Sequence, residues 1–506
     1  MSSPPLPWAP GIAAHSARIA VVDSLGARTY GELLAASAER ASALLGLGSD
    51  LAEEPIPFLC PPGVDYAATQ WGIWRAGGIA VPLALSHPPA EWAHVLTDTG
   101  ARRLLVAEEF HQRTAPLCRE LAVELVPLAA RPGASAAASR LPQLGPERRA
   151  LLLYTSGTTG KPKGVVWTFG MLAFQLETLT RAWGWRPEDR ALHLLPLHHV
   201  HGIVNILGCA LHAGACCEFL PRFEPERVWE RLASGEVTVF MAVPTIYHRL
   251  IEAWEAAEEA TRQRWGAAAA RLRLCVSGSA ALPVKLFERW REIAAVPPLE
   301  RYGMTEIGMA LSNPLEGERR AGSVGRPLPG VEVRVVEEDG TLAAAGSPGE
   351  LQVRGAGVFH EYWRRPAETA ASFAAGGWFK TGDVAVLEAG AFRLLGRSST
   401  DILKTGGYKV SALEIESALA EHPAIAECAV VAVPDEEWGE RVGAAVVLKP
   451  GARLSLEELR QWGAAHLAPY KLPTRLLELE SLPRNALGKV VKPELARRFA
   501  GRRGAP

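Results

Sequence analysis

The chain has 506 residues, with 54 Lys and Arg against 55 Asp and Glu, and a formal net charge of −1. That balance excludes a protein whose affinity comes from neutralising many phosphates, because such binders need a basic surplus to release counterions. Hydrophobic residues at 48% and charged residues at 22% exclude a disordered chain, and at roughly 100–200 residues per domain the length allows about two to four folding units.

Seven scattered cysteines (Cys60, Cys118, Cys209, Cys216, Cys217, Cys275, Cys428) form no CxxC pair. They are expected to be small buried hydrophobes of a reducing compartment. The N-terminal stretch lacks the basic and apolar regions of a secretory signal, and its prolines oppose an amphipathic transit helix, so a cytoplasmic location is expected.

Thr29 and Glu32 form a capping box, and Leu34, Ala38, Ala41 and Leu45 give the following helix an apolar stripe. Strands are expected at Arg103–Ala107, Ala150–Tyr154 and Val237–Val243, alternating with helical segments. That alternation favours mainly parallel, doubly covered sheets. Ala191–Cys217 contains no Asp, Glu, Lys or Arg, but Pro196, Asn205 and five histidines make it a buried strand, loop and helix rather than a membrane span.

From about Gly322, Gly and Pro punctuate short strands at Val331–Val336, Gly349–Val353 and Phe392–Leu395, which predicts a β-rich subdomain. Beyond the boundary set at Gly396–Ser399, capping boxes at Ser411/Glu414 and Ser455/Glu458 are interleaved with strands at Cys428–Val433, Val442–Leu448 and Leu476–Leu479. The fold class is therefore α/β. Residues 1–396 form a large N-terminal domain of doubly covered sheets plus the β-rich subdomain, and residues 397–506 a small α+β domain.

The strongest chemical signal is YTSGTTGKPKG at Tyr154–Gly164, directly after an apolar strand. Glycines let backbone N–H groups converge, while hydroxyls and lysines add donors and positive charge, which together make an anion cradle. It is not a Walker loop, since Lys161 is followed by Pro162 instead of Ser or Thr.

This string, with RYGMTE (Arg301–Glu306), KTGD (Lys380–Asp383), LGR (Leu395–Arg397) and PRNALGK (Pro483–Lys489) in that order, resembles the adenylate-forming enzymes, over about residues 17–495. The family includes acyl-CoA synthetases and peptide-synthetase adenylation domains. The resemblance implies ATP, magnesium and coenzyme A as ligands, while the charge balance and the reading of Ala191–Cys217 leave no nucleic-acid or membrane partner expected. It assigns Thr155, Ser156, Gly157, Thr158, Thr159, Gly160 and Lys161 to the phosphates, and Gly278, Ser279, Ala280, Arg301, Tyr302 and Gly303 to the nucleotide side. Asp383 and Arg397 fall to the ribose, Thr305 to the phosphate, and Glu306 to magnesium. Lys489 becomes the catalytic cation of adenylation and Ser399 the hinge of a mobile C-terminal domain, where relatives often have Asp or Lys. Gly407, Tyr408 and Lys409 fall on the path of the thiol.

Further strings, LPLHHVHG (Leu195–Gly202), FMAVPTIY (Phe240–Tyr247), VSGSAALP (Val276–Pro283) and KTGGYKVSALEIE (Lys404–Glu416), resemble the malonyl-CoA and methylmalonyl-CoA synthetase subfamily. That resemblance implies a distal carboxylate met by His199, His201, Arg249 and Arg301, with Met309 limiting bulk at the α-carbon. Physically, a buried guanidinium near the reacting acid demands an anion. A medium-chain or aromatic acid ligase, and an enzyme loading a separate carrier protein, remain the alternatives.

Overall fold

In the computed structural model, which describes residues 6, 11–128, 141–155, 162–405, 408–435, 438–484 and 490–501, the first helix begins where its cap dictates. Thr29 accepts the Glu32 N–H while the Glu32 carboxylate accepts the Thr29 N–H, and the helix runs Tyr30–Leu45. Thr29→Ala is expected to cost about 1 kcal/mol of stability, read from chemical unfolding. The buried stripe is Tyr30, Leu33, Ser37, Ala41, Leu44 and Leu45, so it is displaced from the predicted Leu34 and Ala38. Ser37 is drawn inward by the buried Arg75, whose Nη1 donates to Ser37 Oγ and to the Leu34 carbonyl, each at 2.7 Å.

Two large sheets form the N-terminal portion. One has nine strands in the order Arg326–Pro327, Gly308–Ser312, Leu299–Met304, Leu274–Ser277, Val239–Ala242, Arg190–His193, Cys216–Phe219, Ile19–Asp23 and Gly26–Thr29. Its interior pairings are parallel, with antiparallel hairpins at both edges. The second has seven strands, centred on Arg149–Thr155, Ile79–Pro82 and Pro55–Leu59. The predicted strands recur with shifted ends: Arg103–Val106, Arg149–Thr155 and Val239–Ala242.

One core cluster joins both sheets, containing Val21 and Val276 from the first and Ile56 and Leu153 from the second. The outer face of the nine-stranded sheet is covered by helices whose Trp229 stacks between Trp265 and Trp290, with ring centroids 5.6 Å apart in each pair. The sheet is therefore buried on both faces, as its Val- and Leu-rich strands require. Six of the seven cysteines are buried and Cys428 is half-buried.

The charge-free run Ala191–Cys217 supplies the end of the strand Arg190–His193, a loop, a π-helix at His201–Gly208, the short helix Cys209–His212 and the start of the strand Cys216–Phe219. No described helix is long and apolar enough to cross a membrane.

A five-stranded sheet of Val331–Val336, Gly349–Gly355, Trp378–Glu388, Phe373–Ala374 and Ala391–Arg397 makes the β-rich portion. A further five-stranded sheet gathers Tyr408–Ser411, Ile402–Thr405, Gly439–Leu448, Ile425–Asp435 and Arg475–Glu478. Ser455 and Glu458 form a reciprocal box. Ser411 caps its helix from one side only, because Glu414 is engaged by Lys471 at 2.5 Å.

Candidate active site

At or just beyond the C-terminal ends of parallel strands in the nine-stranded sheet lie His199, His201, Gly278, Ser279, Ala280, Arg301, Tyr302 and Gly303, which is where open α/β sheets place their ligands. The strand Leu299–Met304 carries Arg301, Tyr302 and Gly303, and its hairpin partner carries Met309 opposite Gly303. Gln175 fixes this hairpin, accepting the Met309 N–H at 3.0 Å and donating to the Met309 carbonyl at 3.4 Å. Gly303 permits the close approach, since a Cβ there would fall 2.1 Å from the Gly308 carbonyl and 2.5 Å from the Met309 Cε. Met309 itself is buried.

Tyr302, Asp383 and Arg397 come together although 95 residues separate the first from the last. The Tyr302 hydroxyl donates to Asp383 Oδ2 at 2.5 Å, and Arg397 Nε lies 3.0 Å from Asp383 Oδ1. Arg397 also donates to the Thr381 carbonyl at 2.7 Å. Burial and the Asp383 charge raise the Tyr302 pKa far above the usual phenol range, so the phenol stays protonated and keeps donating. The arrangement offers one carboxylate, oriented from two sides.

Glu306 is buried, and its Oε1 accepts the Tyr362 hydroxyl at 3.0 Å. Burial raises its pKa, with Arg397 and the Tyr362 hydrogen bond acting in the other direction. The backbone carbonyl of the half-buried Thr305 accepts Trp167 Nε1–H at 2.8 Å. Tyr362 and Trp167 were not singled out in the sequence; each acts through a partner distant along the chain, so no local pattern marks them.

Arg301 is 4% exposed, and its Nε and Nη2 have no hydrogen-bond partner among the described residues. Desolvation lowers its pKa to about 9, so the guanidinium still carries its charge near neutral pH. A Cβ at Gly278 would lie 2.5 Å from Arg301 Cζ, so this glycine is the bed on which the guanidinium rests. The two are brought side by side by the parallel pairing of Ser277 with Glu300.

His201, also buried, shares a hydrogen bond of 3.1 Å between its Nδ1 and Ser279 Oγ, while its Nε2 has no described partner. Ser279 holds a left-handed backbone, φ +70°, costly for a residue with a side chain; Ser279 and Ala280 are both exposed. Burial, and next the Arg301 charge, push the His201 pKa well below the ordinary imidazole value. The ring is neutral, and Arg301 is therefore the fixed positive charge here. His199 is half-buried and packs on His198 at 4.0 Å between ring centroids.

Arg249 departs from the expected arrangement. The helix Pro244–Ala256 turns Tyr247, Leu250 and Ile251 into the core, which leaves Arg249 exposed on its other side. The expected pair of buried guanidiniums is thus Arg301 alone.

Thr155 ends the strand that leads into the glycine-rich loop and pairs with Lys163. Ser156, Gly157, Thr158, Thr159, Gly160 and Lys161 lie outside the described residues, as do Gly407 and Lys489 and the side chain of Lys409. Tyr408 is exposed and stacks on Tyr470 at 4.3 Å. Ser399 occupies an exposed turn between Ala391–Arg397 and Ile402–Thr405.

Residues 10–363 match the family model described as AMP-binding enzyme, and residues 414–489 match the AMP-binding enzyme C-terminal domain. The chain belongs to the AMP-binding enzyme family. A mouse relative named malonate–CoA ligase ACSF3, mitochondrial, is 44% identical over 97% of this chain and 90% of its own. The ATP-bound MatB of Rhodopseudomonas palustris superposes with a TM-score of 0.86 at 32% identity, covering 95% of both chains. A malonyl-CoA ligase solved with methylmalonyl-CoA and AMP gives 0.69 at 39% identity, covering 96% of this chain and all of that one. The mitochondrial name of the mouse relative stands against the cytoplasmic expectation. Family membership fits the observed fold of large sheets followed by a small C-terminal sheet.

Proposed function

We propose that this protein is an AMP-forming ligase that activates malonate, or its methyl derivative, and transfers the acyl group to coenzyme A. The observation that carries the choice of acid is Arg301, a buried guanidinium beside the adenylation segment with two nitrogens unpartnered among the described residues. A buried charge without a counter-ion costs several kcal/mol. The second carboxylate of a short diacid supplies that counter-ion, and the neutral His201 ring adds a hydrogen-bonding edge to the same pocket. Met309, packed against Gly303, supports the expected limit on bulk near the α-carbon.

In the first half-reaction one malonate oxygen attacks the α-phosphorus of ATP, the bond to the bridging oxygen breaks, and pyrophosphate leaves. In the second, the deprotonated thiol of coenzyme A attacks the acyl carbonyl, and AMP departs with its phosphate intact. Asp383, held by Tyr302 and Arg397, accepts the ribose hydroxyls; Thr305 and the loop from Thr155 to Lys161 hold the phosphates in line. Lys489 answers the charge that grows on the α-phosphoryl oxygens. Residues 397–506 form the domain that turns about Ser399, presenting Lys489 for adenylation and Gly407, Tyr408 and Lys409 for thiol transfer.

Magnesium fits Glu306: the carboxylate is desolvated, one oxygen is already oriented by Tyr362, and magnesium commonly takes one or two carboxylates with the rest of its shell from phosphates and water. Bound there, it would neutralise phosphate charge.

ATP–pyrophosphate exchange with malonate, methylmalonate, octanoate and benzoate tests the acid. The two diacids are expected to dominate, and a preference for octanoate or benzoate would overturn the assignment. Turnover that requires a carrier protein and ignores coenzyme A would instead favour the carrier-loading alternative.

A further inference from the structure

The π-helix His201–Gly208 presents two different faces. Ile203, Val204, Leu207 and Gly208 line a small apolar cavity with Trp71, Trp74, Leu172 and Leu176. His201 projects from the other face, toward Ser279 at the end of the strand Leu274–Ser277. A π-helix closes i→i+5 hydrogen bonds, so residues four to five apart share a face; Asn205, four positions on from His201, lies on the His201 side and does not line the cavity.

Asn205 is fully buried, and neither its Oδ1 nor its Nδ2 has a hydrogen-bond partner among the described residues. An amide can make about four hydrogen bonds, and leaving them unmade in the interior is costly enough that each such group calls for an explanation. Structural support of a neighbour is not that explanation, because Asn205 bonds to none of the described residues. Its helical face instead carries another unsatisfied buried group, His201 Nε2. Near it, Arg301, whose charge bears on His201 and which rests on Gly278 next to Ser279, has Nε and Nη2 without a partner among the described residues. Three side chains from two elements therefore leave hydrogen-bonding capacity open around one region.

We propose that Asn205 is a specificity-determining residue of the acyl pocket, whose amide N–H donates to the distal carboxylate of the acid that Arg301 neutralises. This rests on the diacid assignment above. The charge comes from Arg301, while Asn205 and the neutral His201 contribute direction. A site built to hydrogen-bond a polar group discriminates strongly against an analogue lacking it, since its own polar groups are then left unmet.

The test compares Asn205→Leu and Asn205→Asp with the unaltered full-length chain, using ATP–pyrophosphate exchange with malonate and with propionate, which lacks the second carboxylate. For Asn205→Leu, kcat/KM with malonate is expected to fall about 10- to 100-fold, mainly through KM, while the propionate value stays within about threefold. Its melting temperature should not drop, because the amide removed has no hydrogen-bond partner among the described residues. Asn205→Asp should lose more malonate activity than the leucine variant, through like-charge repulsion. Equal losses with both acids, a malonate value within about threefold of the unaltered chain, or a lowered melting temperature with parallel losses would each overturn the proposal. If the unaltered chain fails to activate malonate at all, it is the functional assignment that falls.

Discussion

Arg301→Leu is expected to lower kcat/KM for malonate by about 10²- to 10³-fold, corresponding to the roughly 2–5 kcal/mol lost when one partner of a buried, hydrogen-bonded charge pair is removed. Leucine fills much of the same volume without charge, so the variant no longer has to bury an unmatched guanidinium when the pocket is empty, and the fold is expected to be at least as stable. Its activity with propionate should persist or rise. The selectivity ratio of malonate to propionate, measured by pyrophosphate exchange, thus separates loss of the counter-ion from general damage. Gly278→Ala supplies an independent handle on the same group. A methyl would fall 2.5 Å from Arg301 Cζ, so the guanidinium must shift, and the selectivity ratio of malonate to propionate should fall. An unchanged ratio in both variants would mean that Arg301 does not meet the acid.

Why Arg301 and not Arg249 is buried was not legible in the sequence. Arg301 lies inside its strand, in the RYGMTE string, and Arg249 comes two residues after the FMAVPTIY string. The difference is one of placement: Arg301 lies in a stretch buried from Leu299 to Tyr302, beside Gly278, whereas Arg249 falls on the exposed side of a helix whose Tyr247 and Leu250 face the core. A one-residue shift in phase is beyond what composition reveals, and the first helix shows the same limit, where Leu33 and Ser37 replace the expected Leu34 and Ala38. Local chemistry was far more legible. The boxes at Thr29 and Ser455 form as their hydroxyl and carboxylate spacing requires, since every partner lies within three residues. Asp383 and Tyr302 were identifiable only as members of separate motifs; their mutual hydrogen bond depends on the hairpin and on the β-rich sheet arriving at one place. Asn205 did leave a signal, as one of the few polar side chains in a run without Asp, Glu, Lys or Arg, but its meaning emerged only once the helix placed it on the His201 face.

Lys489→Ala should reduce adenylation at least about 10²- to 10³-fold, the effect of losing one well-placed electrostatic donor, about 3–4 kcal/mol of barrier. The expectation comes from charge: the α-phosphoryl oxygens gain negative character as pyrophosphate departs, and an ammonium delivered to that point stabilises the transition state more than the ground state. The flanks of the segment are anchored. Arg484 and Val490 form a bridge, the Val491 N–H donates to the Pro483 carbonyl at 2.8 Å, and Lys492 pairs with Asp401 at 2.5 Å and Glu416 at 2.7 Å. Asp401 also accepts the Arg397 N–H at 3.0 Å, so the base of the lysine segment is tied to the turn containing Ser399. Rotation about that turn would carry the lysine with it. The second half-reaction does not need this charge, and malonyl-adenylate supplied directly should therefore still yield malonyl-CoA at close to the unaltered rate. Rapid-quench measurement of each half-reaction distinguishes the cases. Pyrophosphate exchange within tenfold of the unaltered enzyme would remove Lys489 from the chemistry, and equal loss in both half-reactions would assign it to the integrity of the C-terminal domain instead.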